Sequence, residues 1–499
     1  MADLSPTVER QDLVAVDPLP NPVAYSIFSS TQKRFITVII GAGMMFSGLT
    51  ANIYLPSVPL LQEEYHTSLQ LINITITAYI VVQGIVPAFF GELSDKIGRR
   101  PVYLISFTIY VAASIGLALQ HDYAALLILR MLQSAGASAT VAIGYGVVAD
   151  IARPAERGAM VGPTLVGSNI GPVLGPLIGG PLSAHAGWRW IFWFLAIVGG
   201  FFLLAVTVFL PETARSLVGN GSIVASGINK PLLQYLSPEA TLTKDKPNEA
   251  PPSLLRKILA TIPNPWKAVR LIFEKETSLV LLIAAMFYMI YYIVQASLPS
   301  FLLSTYGFNT TDIGISYLPV SLGVILGGLA SAKLMDWNYK STAKAICFEI
   351  DKVQGDDLNT FPIEQARVRF SEIIILLRAA SVIAYGWTLQ QRIHVAVPLI
   401  FQFLIGFLSI NQTFNTLLID IHRESPSTAA ASGNITRCAL AATGVAVMQP
   451  LLIRLQEGPF FTIMAGATAG FGIVAIGIIR RKGMIWRLRK ESQKVSRNS

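Results

Sequence analysis

Gly91-Glu92-Leu93-Ser94-Asp95-Lys96-Ile97-Gly98-Arg99-Arg100-Pro101 lies between two apolar runs, 71–90 and 102–119. Each run is close to the roughly 20 residues that a helix needs to cross the hydrocarbon core of a bilayer. A short, charged, glycine-bounded connection between them reads as a tight turn, so the flanking helices are expected to be antiparallel neighbours. Lys96, Arg99 and Arg100 put three cations into that turn. Cationic loops stay on the cytoplasmic side, and the turn is placed there.

The rest of the chain repeats this arrangement. Of 499 residues, 53% are hydrophobic and 13% are charged, about half the charged share usual in soluble proteins. The apolar residues come in long blocks with the charges between them, which predicts a multi-spanning helical membrane protein. A β-barrel would show short alternating segments instead. The formal net charge of +9 does not point to nucleic acid, because its cations fall in alternate loops and at the tail. Most are Lys33 and Arg34, the opening turn, Arg153 and Arg157, the stretch from Arg215 to Lys275, and Arg480 to Arg497. This alternation predicts that both termini are cytoplasmic, with the basic tail against anionic lipid. Cys347 in a loop and Cys438 in a span predict no disulfide. No apolar core of signal-peptide type precedes the first span, which then serves as the insertion signal.

The sequence predicts an all-α membrane protein of twelve transmembrane helices in two pseudo-symmetric six-helix bundles. Residues 1–34 read as a disordered cytoplasmic N-tail. The first bundle, 35–211, holds spans at 35–56, 71–90, 102–119, 123–148, 159–182 and 188–210. Residues 212–276 are the longest hydrophilic stretch and read as a cytoplasmic linker. The second bundle, 277–479, holds spans at 279–303, 313–334, 372–389, 395–418, 429–453 and 459–479, with a cytoplasmic loop at 335–371. Residues 480–499 form the basic cytoplasmic C-tail. The halves echo one another: the fourth span ends Asp150-Ile151-Ala152-Arg153, the tenth Asp420-Ile421-His422-Arg423. Lys333-Leu334-Met335-Asp336 is an eroded counterpart of the opening turn. Two parallel repeats with a site between them near the membrane midplane is a transporter architecture.

The order Gly-x-Leu-x-Asp-x-x-Gly-Arg-Arg at 91–100 resembles the loop between the second and third helices of major facilitator superfamily transporters. The resemblance implies the major facilitator fold. It also implies a gating role for Asp95, Arg99 and Arg100, the acid meeting positive groups or helix N-termini in one conformation. In the fifth span, Gly167-x-x-x-Gly171-Pro172-x-x-Gly175-Pro176-x-x-Gly179-Gly180 sets small residues on adjacent faces, which permits close backbone approach. That run resembles the antiporter motif of the superfamily's proton-coupled exporters. Leu129-Arg130-Met131-Leu132-Gln133-Ser134-Ala135-Gly136 resembles the fourth-span motif whose arginine is implicated in proton coupling, with Ser134 where glycine is usual. Phe361-Pro362-Ile363-Glu364, Tyr385-Gly386-Trp387, Pro398 to Phe403, Thr413 to Asp420, and Asn434 with Arg437-Cys438 narrow the likeness. Together they resemble the fungal twelve-helix drug:proton antiporters, in the quinidine-resistance and citrate-exporter branch, over about 35–480.

Independently of the resemblance, Arg130 lies about 10 Å inside its span at helical rise, where an ionised side chain is costly unless it is paired or faces water, so it reads as functional. Gln133 shares its face. Arg437 lies about 12 Å inside the eleventh span with Asn434 one turn earlier, and is assigned to the cavity. Arg378, nearer its span end, reads as a snorkelling anchor. Asn52, Gln83, Tyr292, Gln402 and Asn415 complete the candidate cavity, each also able to serve as a helix–helix hydrogen bond. No Asp or Glu lies deep in any span. Buried arginines without buried acids favour anionic or neutral amphiphiles over cations, because an arginine fork binds carboxylates well.

The expectation is a monomeric carrier working by alternating access, not an enzyme. It would export an organic anion or amphiphilic small molecule (toxin, drug or secondary metabolite) across a fungal membrane, with the plasma membrane as its location. Its partners are that small molecule, protons and membrane lipid, not nucleic acid. The energy source is the proton gradient, with no cofactor, and no metal because the five histidines show no ligand spacing. Proton-coupled import of a small solute, or a membrane receptor that no longer transports, remain the alternatives.

Overall fold

Within lipid every backbone polar group must be paired inside the protein, so a spanning chain is helical or a closed barrel. The computed structural model is helical, with no strand among the described residues. It describes residues 26–152, 157–223, 225, 227–233, 266–348, 361–409, 411–422 and 426–498. The first half runs α1 (Ser30–Asn52), α2 (Val58–Glu64), α3 (Leu69–Ile97), α4 (Arg99–Leu119), α5 (Tyr123–Ile151), α6 (Arg157–Ala186) and α7 (Arg189–Phe209). The connecting stretch holds α8 (Arg215–Val218) and α9 (Trp266–Ile272). The second half runs α10 (Lys275–Tyr306), α11 (Thr310–Ile315), α12 (Leu318–Ala345), α13 (Ile363–Val368), α14 (Ser371–Gln390), α15 (Ala396–Phe407), α16 (Asn411–Ile421), α17 (Pro426–Leu455) and α18 (Glu457–Asn498).

Ten apolar helical stretches among the described residues are long enough to cross a membrane. The 30-residue α6 and the pair α15–α16 occupy the other two of the twelve predicted positions. Local caps set the starts. Ser29 and Gln32 form a reciprocal capping box on α1, and the Asp122 carboxylate accepts from the Ala124 and Ala125 N–H groups of α5. Each supplies acceptors for N–H donors that the first turn leaves unpaired.

Several boundaries differ from those read in the sequence. The opening turn is almost entirely helix: α3 continues to Ile97, α4 begins at Arg99, and only Gly98 separates them. Gly98 has φ 110°, a backbone region that side chains disfavour. The charges that read as a loop are instead paired one turn apart, Glu92 with Lys96 at 3.1 Å and Asp95 with Arg99 at 2.6 Å. The expected loop at 335–371 is helical at both ends, because α12 runs to Ala345 and α13 starts at Ile363. The tenth span is broken after Phe407, and the basic tail is the continuation of α18 to Asn498. Residues 1–25 of the expected N-tail, and 234–265 of the linker, lie outside the described residues.

The buried acid Glu212 holds the turn at Gly98 together. One of its carboxylate oxygens accepts the Arg99 N–H at 2.8 Å and the other the Arg100 N–H at 3.1 Å. The first oxygen also takes the Thr213 and Ala214 N–H groups at 2.9 and 2.8 Å. An anion is thus seated on the positive end of α4, where helix dipole and unpaired donors both favour it. Glu212→Ala is expected to lower stability by about 1–3 kcal/mol, the cost of stranding buried donors. Thermal unfolding of the purified protein checks this; an unchanged midpoint contradicts it.

Candidate functional site

One end of the bundle, holding Gly98 and Glu212, is called here the charged end; the far end holds the turns at Gly187 and Gly307. At the charged end Arg99 is a hub. Its guanidinium meets Asp95 at 2.6 Å, Asp150 at 2.9 Å and the Ser94 hydroxyl at 2.7 Å. The Asp95 side chain is 60% exposed and that of Asp150 only 10%. Arg100 plays a different part. Its guanidinium donates to the carbonyls of Thr207, Leu210 and Ile228 and so closes the C-terminal end of α7, where cations are favoured. The second half repeats the hub with a different donor. Asp420, the counterpart of Asp150, takes Arg367 of α13 at 3.0 Å, and Glu364 on the same short helix takes Arg487 of α18 at 2.7 Å.

The glycine run of α6 lies on the backbone of α1. A methyl group at Gly167 would strike Gly41, one at Gly171 would strike Met45 and Leu49, and one at Gly175 or Gly179 would strike Asn52 or Ile53. Pro172 in turn fills the space beside Gly48. Pro176 faces the other half: its carbonyl oxygen would lie 2.5 Å from a methyl placed on Gly314. Asn52 belongs to this crossing, its amide donating to the Gly48 carbonyl at 2.8 Å. The antiporter-like run is therefore a close-packed seam, and its last turn joins the two halves.

Between the halves lies a cluster of arginines and tyrosines. Arg130 on α5 is fully buried, with Tyr54 and Tyr79 rings each 4.4 Å from its guanidinium carbon. Its Nη1 donates to Gln133 Oε1 at 2.8 Å and to the Thr50 carbonyl at 3.4 Å, while Gln133 donates to the Ser114 hydroxyl at 2.9 Å. Arg130 Nε and Nη2 have no protein partner. A cation in a span costs at least about 2.5 kcal/mol, and two desolvated ring contacts at about 2 kcal/mol each can offset it.

Arg437 on α17 mirrors this arrangement. Its guanidinium sits 4.5 Å from the Tyr288 ring centre and donates to Asn434 Oδ1 at 2.8 Å, leaving Nε unpaired. The Asn434 amide crosses to the first half, donating to the Gln83 and Gly84 carbonyls at 2.9 and 3.2 Å. Gln83 itself donates to the Ser47 hydroxyl at 3.1 Å. The Tyr288 hydroxyl bonds that of Tyr292 at 3.3 Å, and both rings pack with Tyr291. Tyr79 and Tyr288, from opposite halves, are near enough to interact electrostatically, as are Arg130 and Tyr292.

Other predicted residues fall elsewhere. Gln402 on α15 is buried beside Tyr385. Asn415 is half-buried on α16. Arg378 is no snorkelling anchor: it is 2% exposed, 4.5 Å from the Phe287 ring, and donates to the Phe287 carbonyl at 2.8 Å. Its helix turns it into the bundle with Ile375, Val382 and Tyr385, and depth along a helix does not reveal which way a side chain faces. Tyr54, Tyr79 and Glu212 were missed as site residues. Tyrosines within apolar runs carry no distinguishing pattern; Glu212, an acid just past a span end and facing a cationic turn, left a usable signal.

The model for the Major Facilitator Superfamily matches residues 40–445. The chain belongs to that superfamily. It is 36% identical over 443 residues to MFS-type transporter phiD of Fungal sp., covering 88% of this chain and 67% of the relative. It is 35% identical over 451 residues to Citrate exporter 1 of Aspergillus niger, covering 89% and 85%. MFS-type transporter clz19 of Cochliobolus lunatus is 36% identical over 488 residues, covering 97% and 90%. Among solved structures, the human organic anion transporter MFSD10 (TETRAN) aligns with TM-score 0.56 at 15% identity, over 90% of this chain and 99% of that one. That likeness shows the fold. The chain is thus an integral, multi-pass membrane protein of a transporter family, with the arginine–tyrosine cluster at the junction of its two halves.

The far ends of the halves are joined by Gln70, which donates to the Ala446 carbonyl at 2.7 Å, and by Gly180 against Gly314. A methyl on Gly314 would also lie 3.0 Å from the Gly180 Cα, nearer than packed atoms tolerate. Gly314→Val is expected to hold the far ends apart. With Cys347 and Cys438 changed to serine, a cysteine at Ser300, in the far-end cavity that also contains Gln62 and Ser297, should label faster with maleimide in that variant. Equal labelling contradicts the contact's role.

Proposed function

We propose that this transporter exports an organic anion, or an amphiphile bearing a carboxylate, by proton-driven alternating access between its two halves. The observation that carries this reading is the pair Arg130 and Arg437. Each is held on tyrosine rings with no carboxylate among its resolved contacts and at least one N–H unpaired. Guanidinium groups fixed by ring contacts keep their planar donors free to grip a carboxylate. Low dielectric between the halves strengthens that attraction. The name of one relative, Citrate exporter 1, agrees with an anionic cargo. A cationic cargo would meet two positive charges, with no carboxylate among the contacts of either arginine.

The conformer joined at its far ends is one of the two states that alternating access requires. By the positive-inside rule the charged end is cytoplasmic, so this state receives cargo from the cell interior. Asp95, the exposed member of the Arg99 hub, gates through its ion pair with Arg99, and Arg130 with Gln133 links proton movement to cargo release. The protein acts as a monomer in the plasma membrane with both termini inside, its basic α18 extension lying against anionic lipid.

The test is retention of labelled citrate, a dicarboxylate and a lipophilic cation in cells with and without the protein, with and without an uncoupler. The expected result is lower retention of an anion, abolished by the uncoupler. Arg130→Met or Arg437→Met should each weaken anion transport roughly tenfold or more, the worth of one charged hydrogen bond at about 1.5–3 kcal/mol. Asp95→Asn should stop coupled export at normal expression. Lower retention of the cation alone, or uncoupler-sensitive accumulation of the anion, contradicts the reading.

A further inference from the structure

We propose that Arg378 is a positioning residue for the anion site, fixing the Phe287–Tyr288 segment of α10 so that the Tyr288 ring stays beneath Arg437. The inference rests on the anion site proposed above and adds a residue that does not itself touch the cargo.

Phe287 and Tyr288 are consecutive, so their side chains leave α10 about 100° apart. Each ring is covered by a guanidinium from a different helix, Arg378 of α14 at 4.5 Å and Arg437 of α17 at 4.5 Å. Arg378 also grips the backbone, its Nη2 donating to the Phe287 carbonyl at 2.8 Å. In a regular helix that carbonyl already serves the Tyr291 N–H. A second donor from the side draws this peptide towards α14 and fixes the rotation of α10 at the residue before Tyr288. The rotation carries the linked hydroxyls of Tyr288 and Tyr292 with it.

Fold stability does not account for the residue. Arg378 is 2% exposed and its Nε and Nη1 have no protein partner. No carboxylate is among its resolved contacts, so its burial is costly within a membrane. A methionine of similar length would fill the space without that cost. A side chain whose burial opposes stability, yet which clamps the peptide beside a site residue, acts on the geometry of that site.

The experiment uses the full chain in liposomes with labelled citrate as the probe. Arg378→Met is expected to raise KM roughly tenfold, as for residues coupled by contact, with kcat changed less than about twofold. Its unfolding midpoint should be equal or higher, which no purely structural role produces. Arg378→Gln keeps a side-chain N–H donor and should restore KM to within about threefold of the parent. Combining Arg378→Met with Tyr288→Leu should be no worse than Tyr288→Leu alone, because both act through one ring. An unchanged KM, effects that multiply, or rescue by Arg378→Lys but not by Arg378→Gln overturns the inference. Arg437→Met in the same assay separates the two failures. If it transports normally the anion site itself is wrong; if it fails while Arg378→Met is normal, only the positioning role falls.

Discussion

The arrangement of this protein depends on keeping guanidinium charges inside a membrane domain without carboxylates beside them. Arg130, Arg437 and Arg378 each meet that constraint in the same way. An aromatic ring covers the cation at 4.4–4.5 Å, and a carbonyl or amide oxygen takes one N–H. The rings relieve part of the desolvation cost and leave the remaining donors free. A buried carboxylate would relieve more of it, but it would also occupy the fork that a cargo anion needs. Partial compensation is therefore what a reversible anion site requires, and it explains why tyrosines gather on α10 opposite Tyr54 and Tyr79.

Acids are concentrated at the charged end, where they do structural work on helix ends. Glu212 seats the start of α4, Asp150 and Asp95 share Arg99, and Asp420 takes Arg367. The two halves reach one solution by different routes. In the first, the arginine comes from the start of α4. In the second, where the matching turn has lost its motif, it comes from α13 at 363–368. Glycine seams complete the frame: α6 lies on α1, and Gly323 and Gly327 lie on the α15 backbone at Phe403 and Phe407. Backbone contacts of this kind make each half stiff and leave movement to the junction between them.

Much of this was legible in the sequence. Apolar blocks separated by cations gave the helical membrane class, and the motif at 91–100 gave the family. Depth alone marked Arg130 and Arg437, and their i, i+3 neighbours Gln133 and Asn434 are indeed their bonded partners. The opening turn misled because its charges pair along a helix face, so charge density did not mean loop. Arg378 misled because distance from a span end says nothing about facing. Tyr292 was read as a cavity residue, but Tyr54 and Tyr79 were silent because an aromatic in an apolar run looks the same whether it packs against lipid, a neighbour or a guanidinium.

Direct binding to the purified protein tests the anion site without the complications of transport. The measurement is calorimetric titration with citrate and with a lipophilic cation, on the parent chain and on the Arg130→Met, Arg437→Met double variant. The account predicts that citrate binds the parent and does not bind the double variant. Binding of the cation with no binding of citrate, or citrate binding that survives loss of both arginines, would contradict it.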